Sequence, residues 1–391
     1  MAERVLVIAH QYLPSDPRIR RQLDALADEG VAADVVCLRR EGQGFRDRYR
    51  TSELHRMPVR RHRGASLAAY LAEYAAFFAS AGAYASLLYA RHRHSAVVTH
   101  TLPDPLVFAA LVPRLTGARV VMDMHEFTPE LFETRHGLSS SHPLIRVTRW
   151  LERASTRFAS RVVTVHEPGR ELLGGRGVPA DKLRVVPNTD RMRIRDGAEG
   201  PDRYAREGGP FRLVYHGLLA NQYDLATALR AVARLRETGG PDARLRIVGE
   251  GPEEGALRAL AAELELGDAV TFEAPVSPDE IPAILESADA GVVPMRDVVY
   301  THLTLPMKLL ELAATGVPAI TTPSRTIRHY LGEDAVLYVP FGDADALAEA
   351  IRRLAGDAEL RAGMRRNAAE AVRPLHWGVV GRHFVEVLRG G

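Results

Sequence analysis

The chain has 391 residues, a formal net charge of +2, 46% hydrophobic and 26% charged residues. That length favours two domains, each large enough for its own core, and the near-neutral balance of a globular chain gives no electrostatic case for a nucleic-acid partner. The single cysteine, Cys37, excludes an internal disulfide and a cysteine-based zinc cluster and suits a reducing compartment. Residues 1–7 (MAERVLV) hold no long apolar run before a small-residue cleavage site. No signal peptide is therefore expected, and a cytoplasmic location is.

Strand-like and helix-like runs alternate from end to end. Residues 4–9 (RVLVIA) read as a strand, 17–29 as a helix stopped by Gly30, and 33–38 as a strand. Residues 66–90 (SLAAYLAEYAAFFASAGAYASLLYA) are long enough to cross a bilayer and carry one charge, Glu73. Their Ala, Ser and Gly content is only weakly apolar and their tyrosines are spread along the run, so one or two buried helices packed on a sheet are expected. The basic flanks, Arg60-Arg61-His62-Arg63 and Arg91-His92-Arg93-His94, read as solvated helix ends. Peripheral contact with anionic lipid is the less favoured reading.

Residues 96–99, 118–122, 161–165 and 183–186 read as further strands, with helical stretches at 103–115 and 142–158. A polar segment, 191–209, precedes a second alternation. Its strands are 212–215, 245–248, 270–272, 291–293, 319–321 and 335–339; its helices are 225–238, 253–264, 278–287, 308–315 and 345–354. This pattern predicts the α/β class: parallel sheets with helices on both faces, in two Rossmann-like domains. Ligands of such sheets bind beyond the carboxyl ends of the strands. Two domains facing a cleft would hold a ligand there.

Residues 304–318 (TLPMKLLELAATGVP) are the most informative stretch. They follow the strand-like AGVVP of 290–294. Pro306 suits a first helical turn, Leu309, Leu310, Leu312 and Ala313 give an apolar face, and Gly316-Val317-Pro318 stops the helix. The helix N-terminus offers free N–H groups to a phosphate, Lys308 adds a full charge, and Glu311 sits one turn in, able to accept from hydroxyls. An ordinary β-loop-α unit with solvated Lys308 and Glu311 accounts for the same residues.

Other motifs are weaker. Gly249-Glu250-Gly251 lies between a strand and a helix, but Glu254 occupies the place of the third glycine of a dinucleotide fingerprint, so a tight turn near a ligand is the reading. Asp123-Met124-His125-Glu126 follows a strand. Asp16-Pro17-Arg18 precedes the first helix, where Asp16 caps it or Arg18 reaches a phosphate or acceptor. His100 is a candidate at another strand end. His92 and His94 have no metal-ligand partner at useful spacing, and Asp343-Ala344-Asp345 reads as a helix cap, so no metal is expected.

The second half resembles the family-4 retaining glycosyltransferases of the GT-B fold. The resemblance rests on residues 247–294 (IVGEGPEEGALRALAAELELGDAVTFEAPVSPDEIPAILESADAGVVP), Asn188-Thr189-Asp190, TLPMKLLELAATGVPAITT and VLYVPFGDADALAEAI. In the first half VLVIAHQYLPSDPRIRRQLDALADEGVAADVVCL and VVMDMHEFTPELF resemble one subgroup's acceptor-side domain. The resemblance implies an acceptor-side domain at 1–188, onto which a C-terminal helix at 376–391 returns, and a nucleotide-sugar domain at 189–375.

It further implies that Glu311 holds the donor ribose, that His125 lines the donor sugar, and that Lys308 offsets the leaving diphosphate. Gly217, Gly249, Leu305, Met307, Leu309, Arg325 and His216 would complete the donor site. Arg18, Asp16, His100 and Glu126 are the acceptor or phosphate candidates. Three family positions depart: Leu303 stands where a glutamate grips the sugar, Leu218 where an arginine follows Gly217, and Tyr223-Asp224 where a second cation is usual. Lys308, His216, Arg325 or Arg328 would have to replace those cations.

The expected activity is retaining transfer from a UDP- or GDP-sugar to a small polar acceptor, without metal or other cofactor. A GT-B epimerase or phosphorylase, a binding-only relative, and a transferase acting on a lipid-linked glycan are the alternatives.

Overall fold

A computed structural model describes residues 3–59, 67–189, 194 and 209–391. The chain divides into two compact units, Met1–Asp190 with Trp377–Gly391, and Arg191–His376. The basic run Arg60-Arg61-His62-Arg63, Ser66, Asp190 and most of the 191–209 segment lie outside the described residues.

Unit 1 opens with β1 (Arg4–Tyr12), α1 (Pro17–Asp28) and β2 (Ala32–Leu38). The hairpin β3 (Arg46–Tyr49) and β4 (Ser52–Met57) follows, turned at Arg50 with φ 52°. Then come α2 (Leu67–His92), β5 (Ala96–His100), a 3-10 turn (Asp104–Ala110), α3 (Leu111–Leu115) and β6 (Arg119–Met124). The series ends with α4 (Thr128–His136), α5 (Pro143–Phe158), β7 (Arg161–Thr164), α6 (Glu167–Gly175) and β8 (Leu183–Val185). The eight strands run β3-β4-β2-β1-β5-β6-β7-β8, parallel except for β3 on β4.

Unit 2 holds β9 (Phe211–His216), α7 (Leu225–Glu237), β10 (Ala243–Val248), α8 (Glu254–Glu263), β11 (Val270–Glu273), α9 (Ile281–Glu286) and β12 (Ala290–Val293). It continues with α10 (Met307–Thr315), β13 (Ala319–Thr321), α11 (Arg325–Tyr330), β14 (Leu337–Tyr338), α12 (Ala344–Gly356) and α13 (Ala358–Val372). Its sheet is β11-β10-β9-β12-β13-β14, all parallel. The last helix, α14 (Trp377–Arg389), belongs to unit 1.

Strand alternation sorts the unit 1 core. Val5, Val7 and Ala9 share a core with Ala33, Val35 and Cys37, and α1 and α14 close over it with Ile19, Leu23, Phe384 and Val387. Trp377 anchors α14, its Nε1 donating to the Arg21 carbonyl at 3.2 Å. Burying each such large apolar side chain stabilises the unit by about 1.5–3 kcal/mol.

The differences from the sequence expectation have local causes. The β3–β4 hairpin went unread because Arg46-Asp47-Arg48-Tyr49 is polar, as suits an exposed edge strand. Residues 103–115 begin as a 3-10 turn, and the described part of the 66–90 run lies in one helix, Leu67–His92, whose Leu71 and Leu87 are exposed rather than buried. The second-half segment 278–287 likewise starts as a 3-10 turn, capped by Ser277. Helices α4, α6, α11 and α13 were not expected. Among the described residues no helix is long and apolar enough to cross a membrane.

Candidate active site

Both sheets place their order reversal beside their first strand. In unit 2 it falls between β9 and β12, and in unit 1 between β1 and β5. The strand ends flanking such a switch point are where α/β sheets bind ligands.

At the unit 2 switch point, β9 closes with Tyr215 and His216 and runs into Gly217 at φ 102°. A Cβ on Gly249 would fall 1.9 Å from the Gly217 carbonyl oxygen, and one on Gly251 would fall 2.2 Å from that of Leu219. These glycines are therefore required by the packing of one loop backbone on another. The sequence reading was a tight turn near a ligand.

Pro306 is the N-cap of α10, one position outside the helix, rather than its first helical residue. Lys308 lies in the first turn but is buried. Its Nζ donates to Tyr215 Oη at 3.0 Å and sits 3.3 Å from the Tyr223 ring centroid and 4.6 Å from that of Tyr215. The Tyr215 hydroxyl passes the chain on, donating to the Leu218 carbonyl at 2.7 Å. Burial pushes the Lys308 ammonium down to about 7, against the opposing pull of the Glu311 carboxylate. Lys308 also borders Gly217, so the cation at this loop is boxed by two aromatic faces. Glu311 is half-buried, with Oε2 3.1 Å from His216 Nε2.

The other expected donor residues are dispersed. Leu309 is fully buried in the core with Leu310 and Leu312, and its N–H is taken by the Pro306 carbonyl at 3.0 Å, so a ligand cannot use it. Leu305 and Met307 are half-buried beside that core. Leu303 is buried, and its neighbour His302 pairs with Asp297 at 2.8 Å and accepts the Arg325 backbone N–H at 3.3 Å. The Arg325 side chain is exposed. Arg328 is drawn to Glu333 at 3.2 Å and over the Tyr338 ring. Asp343 caps α12 through the Ala346 N–H, and Asp345 pairs with Arg234 at 2.9 Å. They line a surface depression of about 630 Å³ that shares no residue with the Lys308 cluster.

At the unit 1 switch point, imidazoles replace the cation. His100 is the last residue of β5, Asp123 lies inside β6 rather than after it, and His125 follows directly. The rings of His100 and His125 stack at 8° with centroids 5.4 Å apart, and Nδ1 of the first is 3.1 Å from Nε2 of the second. Asp123 Oδ2 is 3.4 Å and 3.3 Å from those nitrogens and accepts from Gln22 Nε2 at 2.6 Å. Burial lowers His100 to about 4 and His125 to about 3, and raises Asp123. Burial thus favours the neutral form of both rings, so their approach to Asp123 is not an ion pair.

Asp16 caps α1, accepting from the backbone N–H of Arg18 and Ile19 at 3.0 and 3.2 Å, and binds Arg18 Nη2 at 3.2 Å. Its carboxyl is shifted down: burial opposes ionisation, and the Arg18 charge and these hydrogen bonds outweigh it. Arg18 is thus tied to its own helix cap. Glu126 is half-buried beside His125.

Two imidazoles were missed. His10, on β1, lies 3.0 Å from Glu73 of α2, both fully buried, and His166 caps α6 through the Gly169 N–H at 2.8 Å. The signal was present: VIAH, VVTH, MDMH and VTVH each end an apolar strand run in histidine. The expectation that His92 and His94 lack a ligand partner is overturned as well, because Asp34 of β2 stands 2.8 and 2.7 Å from them.

Comparison with known proteins agrees with this division. The family described as Glycosyl transferases group 1 matches residues 199–371, and Glycosyl transferase 4-like domain matches residues 15–189. A Mycobacterium tuberculosis protein named GDP-mannose-dependent alpha-(1-6)-phosphatidylinositol monomannoside mannosyltransferase is 29% identical over 73% of this chain and 74% of its own length. A Streptomyces coelicolor exopolysaccharide phosphotransferase is 40% identical over 31% of this chain, a match that spans 12% of that relative's length. Among solved structures, sucrose-phosphate synthase from Thermosynechococcus elongatus superposes with a TM-score of 0.74 at 19% identity, covering 99% of this chain and 98% of its own.

Proposed function

From the premise that the chain belongs to the family-4 glycosyltransferases of the GT-B fold, with glycosyltransferase activity, we propose that it moves a sugar from a UDP- or GDP-sugar to a small polar acceptor, with retention at the anomeric carbon. The observation that carries this reading is the boxed Lys308 at the unit 2 switch point, beside Gly217 and one turn from Glu311. A cation that burial holds near neutrality gains its proton when a diphosphate arrives, so its charge is spent on the anion rather than on solvent. Glu311, oriented by His216, accepts from the ribose hydroxyls.

In this reading the bond from the anomeric carbon to the diphosphate oxygen breaks, and a bond to the acceptor oxygen forms on the same face. The acceptor proton passes to the departing diphosphate oxygen. No protein carboxylate is needed as base, and the transfer uses no metal. His125, neutral and fixed by His100 and the Thr101 hydroxyl, orients the sugar. The reaction is placed in the cytoplasm, where nucleotide sugars are made.

Incubation with UDP-, GDP- and dTDP-sugars tests the reading. Release of nucleoside diphosphate, accelerated by acceptor, is expected. An isomerised nucleotide sugar would point to an epimerase, a sugar phosphate formed from inorganic phosphate would point to a phosphorylase, and binding without turnover would point to a regulatory protein.

One observation favours a second reading, an acceptor carried on lipid. Helix α5 turns Ile145, Thr148, Glu152, Ser155 and Thr156 inward, while Leu144, Val147 and Trp150 (65% exposed) face out together with Arg146, Arg153 and Arg157. Exposed apolar and basic side chains on one helix face match a helix lying in a membrane interface. Co-sedimentation with anionic vesicles, lost in Trp150→Glu, supports this acceptor; no sedimentation returns the choice to the small polar one.

A further inference from the structure

At the end of the unit 1 sheet opposite to His100 and His125, a second polar cluster takes no part in the proposed reaction. Asp34 lies near the start of β2 and is fully buried. Its Oδ2 meets His92 Nδ1 at 2.8 Å and His94 Nε2 at 2.7 Å. His92 is the last residue of α2, and His94 lies between α2 and β5. Oδ1 of the same carboxylate accepts from Arg4 Nη1 at 3.0 Å and lies 3.3 Å from His55 Nε2. The other nitrogen of His55 is held by Tyr84 Oη at 3.2 Å.

Two imidazole nitrogens thus converge on one carboxylate oxygen from segments that the fold alone brings together. The ligand atoms of Asp34, His92 and His94 all lie within 4.8 Å of one another. A single ion bonded at about 2.0–2.2 Å to each would replace the two hydrogen bonds, with small side-chain rotations that part each nitrogen from Oδ2 by about half an ångström. The remaining carboxylate oxygen is occupied by Arg4 and His55, the kind of outer partner that fixes a ligating carboxylate. The His92 side chain is 27% exposed, which leaves an entry path and a fourth position for water. Two nitrogens and one oxygen suit zinc, cobalt or nickel and disfavour magnesium and calcium, which prefer all-oxygen sets.

We propose that Asp34, His92 and His94 bind one divalent transition-metal ion of the zinc type, which ties the end of α2 to β2. The ion is structural: its ligands stand at the amino-terminal side of the sheet, away from the strand ends that carry His100 and His125.

The test titrates ZnCl2 into untagged full-length protein stripped with chelator, followed by calorimetry and thermal unfolding. One ion per chain is expected. The melting temperature should rise by about 5 °C at a hundredfold excess over the dissociation constant. Cobalt should give the visible absorption of a four-coordinate site, while magnesium should neither bind nor compete. His92→Ala, whose side chain is partly exposed, should fold as judged by circular dichroism and bind zinc at least about tenfold more weakly; His94→Ala should do the same. Absence of binding, binding as tight as the native chain's in both variants, or loss of binding in His125→Ala alone would each overturn the assignment.

Discussion

The two switch points solve opposite electrostatic problems with the same sheet geometry. In unit 2 a single cation, Lys308, is enclosed by Tyr215 and Tyr223, and the nearby carboxylate, Glu311, is turned towards His216. In unit 1 the strand ends carry His100 and His125 around Asp123, both rings held neutral by burial, and His10 within β1 faces Glu73. One end stores a charge that an anion can call up. The other offers neutral donors and acceptors whose geometry is fixed by stacking. This is the contrast expected if unit 2 meets a diphosphate and unit 1 meets the uncharged part of a substrate.

Removing the stored charge is the strongest way to break the contrast. Lys308→Ala should lower turnover by about 100-fold, the usual effect of losing one electrostatic contact to a developing charge. Binding of the nucleoside alone should change far less. Near-normal turnover, measured with saturating donor, would transfer the role to Arg325 or another cation. On the opposite side, His125→Ala should cost about 10- to 100-fold in turnover at little cost to nucleotide affinity, since a neutral ring contributes orientation rather than charge. A matching loss of UDP or GDP affinity in calorimetry would erase the division between the two units.

How far the sequence carried this picture differs between the units. Unit 2 was read nearly strand for strand because β9 to β13 are short, apolar and separated by helices of ordinary length. Lys308 and Glu311 were visible because both lie on one helix. Tyr215 was not, since a tyrosine in a strand reads as core, and Tyr223 meets it only through a turn. In unit 1 the polar β3 and short α4 and α6 fell below any periodic signal. Asp34 was unreadable as a partner of His92 and His94 because their meeting depends on how α2 packs on β2. The repeated strand-then-histidine ending was in plain view, yet periodicity analysis looks at the run and not at the residue that closes it. Leu303, which stands where a glutamate grips the sugar in the family resembled, is buried.

A milder perturbation sharpens the unit 2 half. Glu311→Ala removes the partner proposed for the ribose and the carboxylate beside His216. Nucleotide dissociation constants should rise about tenfold, the scale of one or two charge-assisted hydrogen bonds. His216→Asn should give a smaller change in the same direction, because Glu311 stays in place. Unchanged affinity in the Glu311 variant would remove ribose binding from its role.

The smallest effect is the most specific to Lys308. In the free protein its ammonium is lowered from 10.5 to about 7 by burial. The unfolded chain therefore holds this proton between about 7 and 10.5 when the folded one does not, so this group favours the free fold increasingly as pH rises through that window. Nucleotide affinity should run the other way. A diphosphate favours the protonated lysine, so binding takes up a proton, and affinity should fall about fivefold between pH 7 and 8 as the protonated fraction declines. Calorimetry in buffers of different ionisation enthalpy reads the uptake directly. Lys308→Arg keeps its charge throughout this range and should abolish both the uptake and the pH dependence. If the arginine variant takes up the same number of protons as the native chain, the titrating group lies elsewhere, and the boxed lysine is not the element that answers the anion.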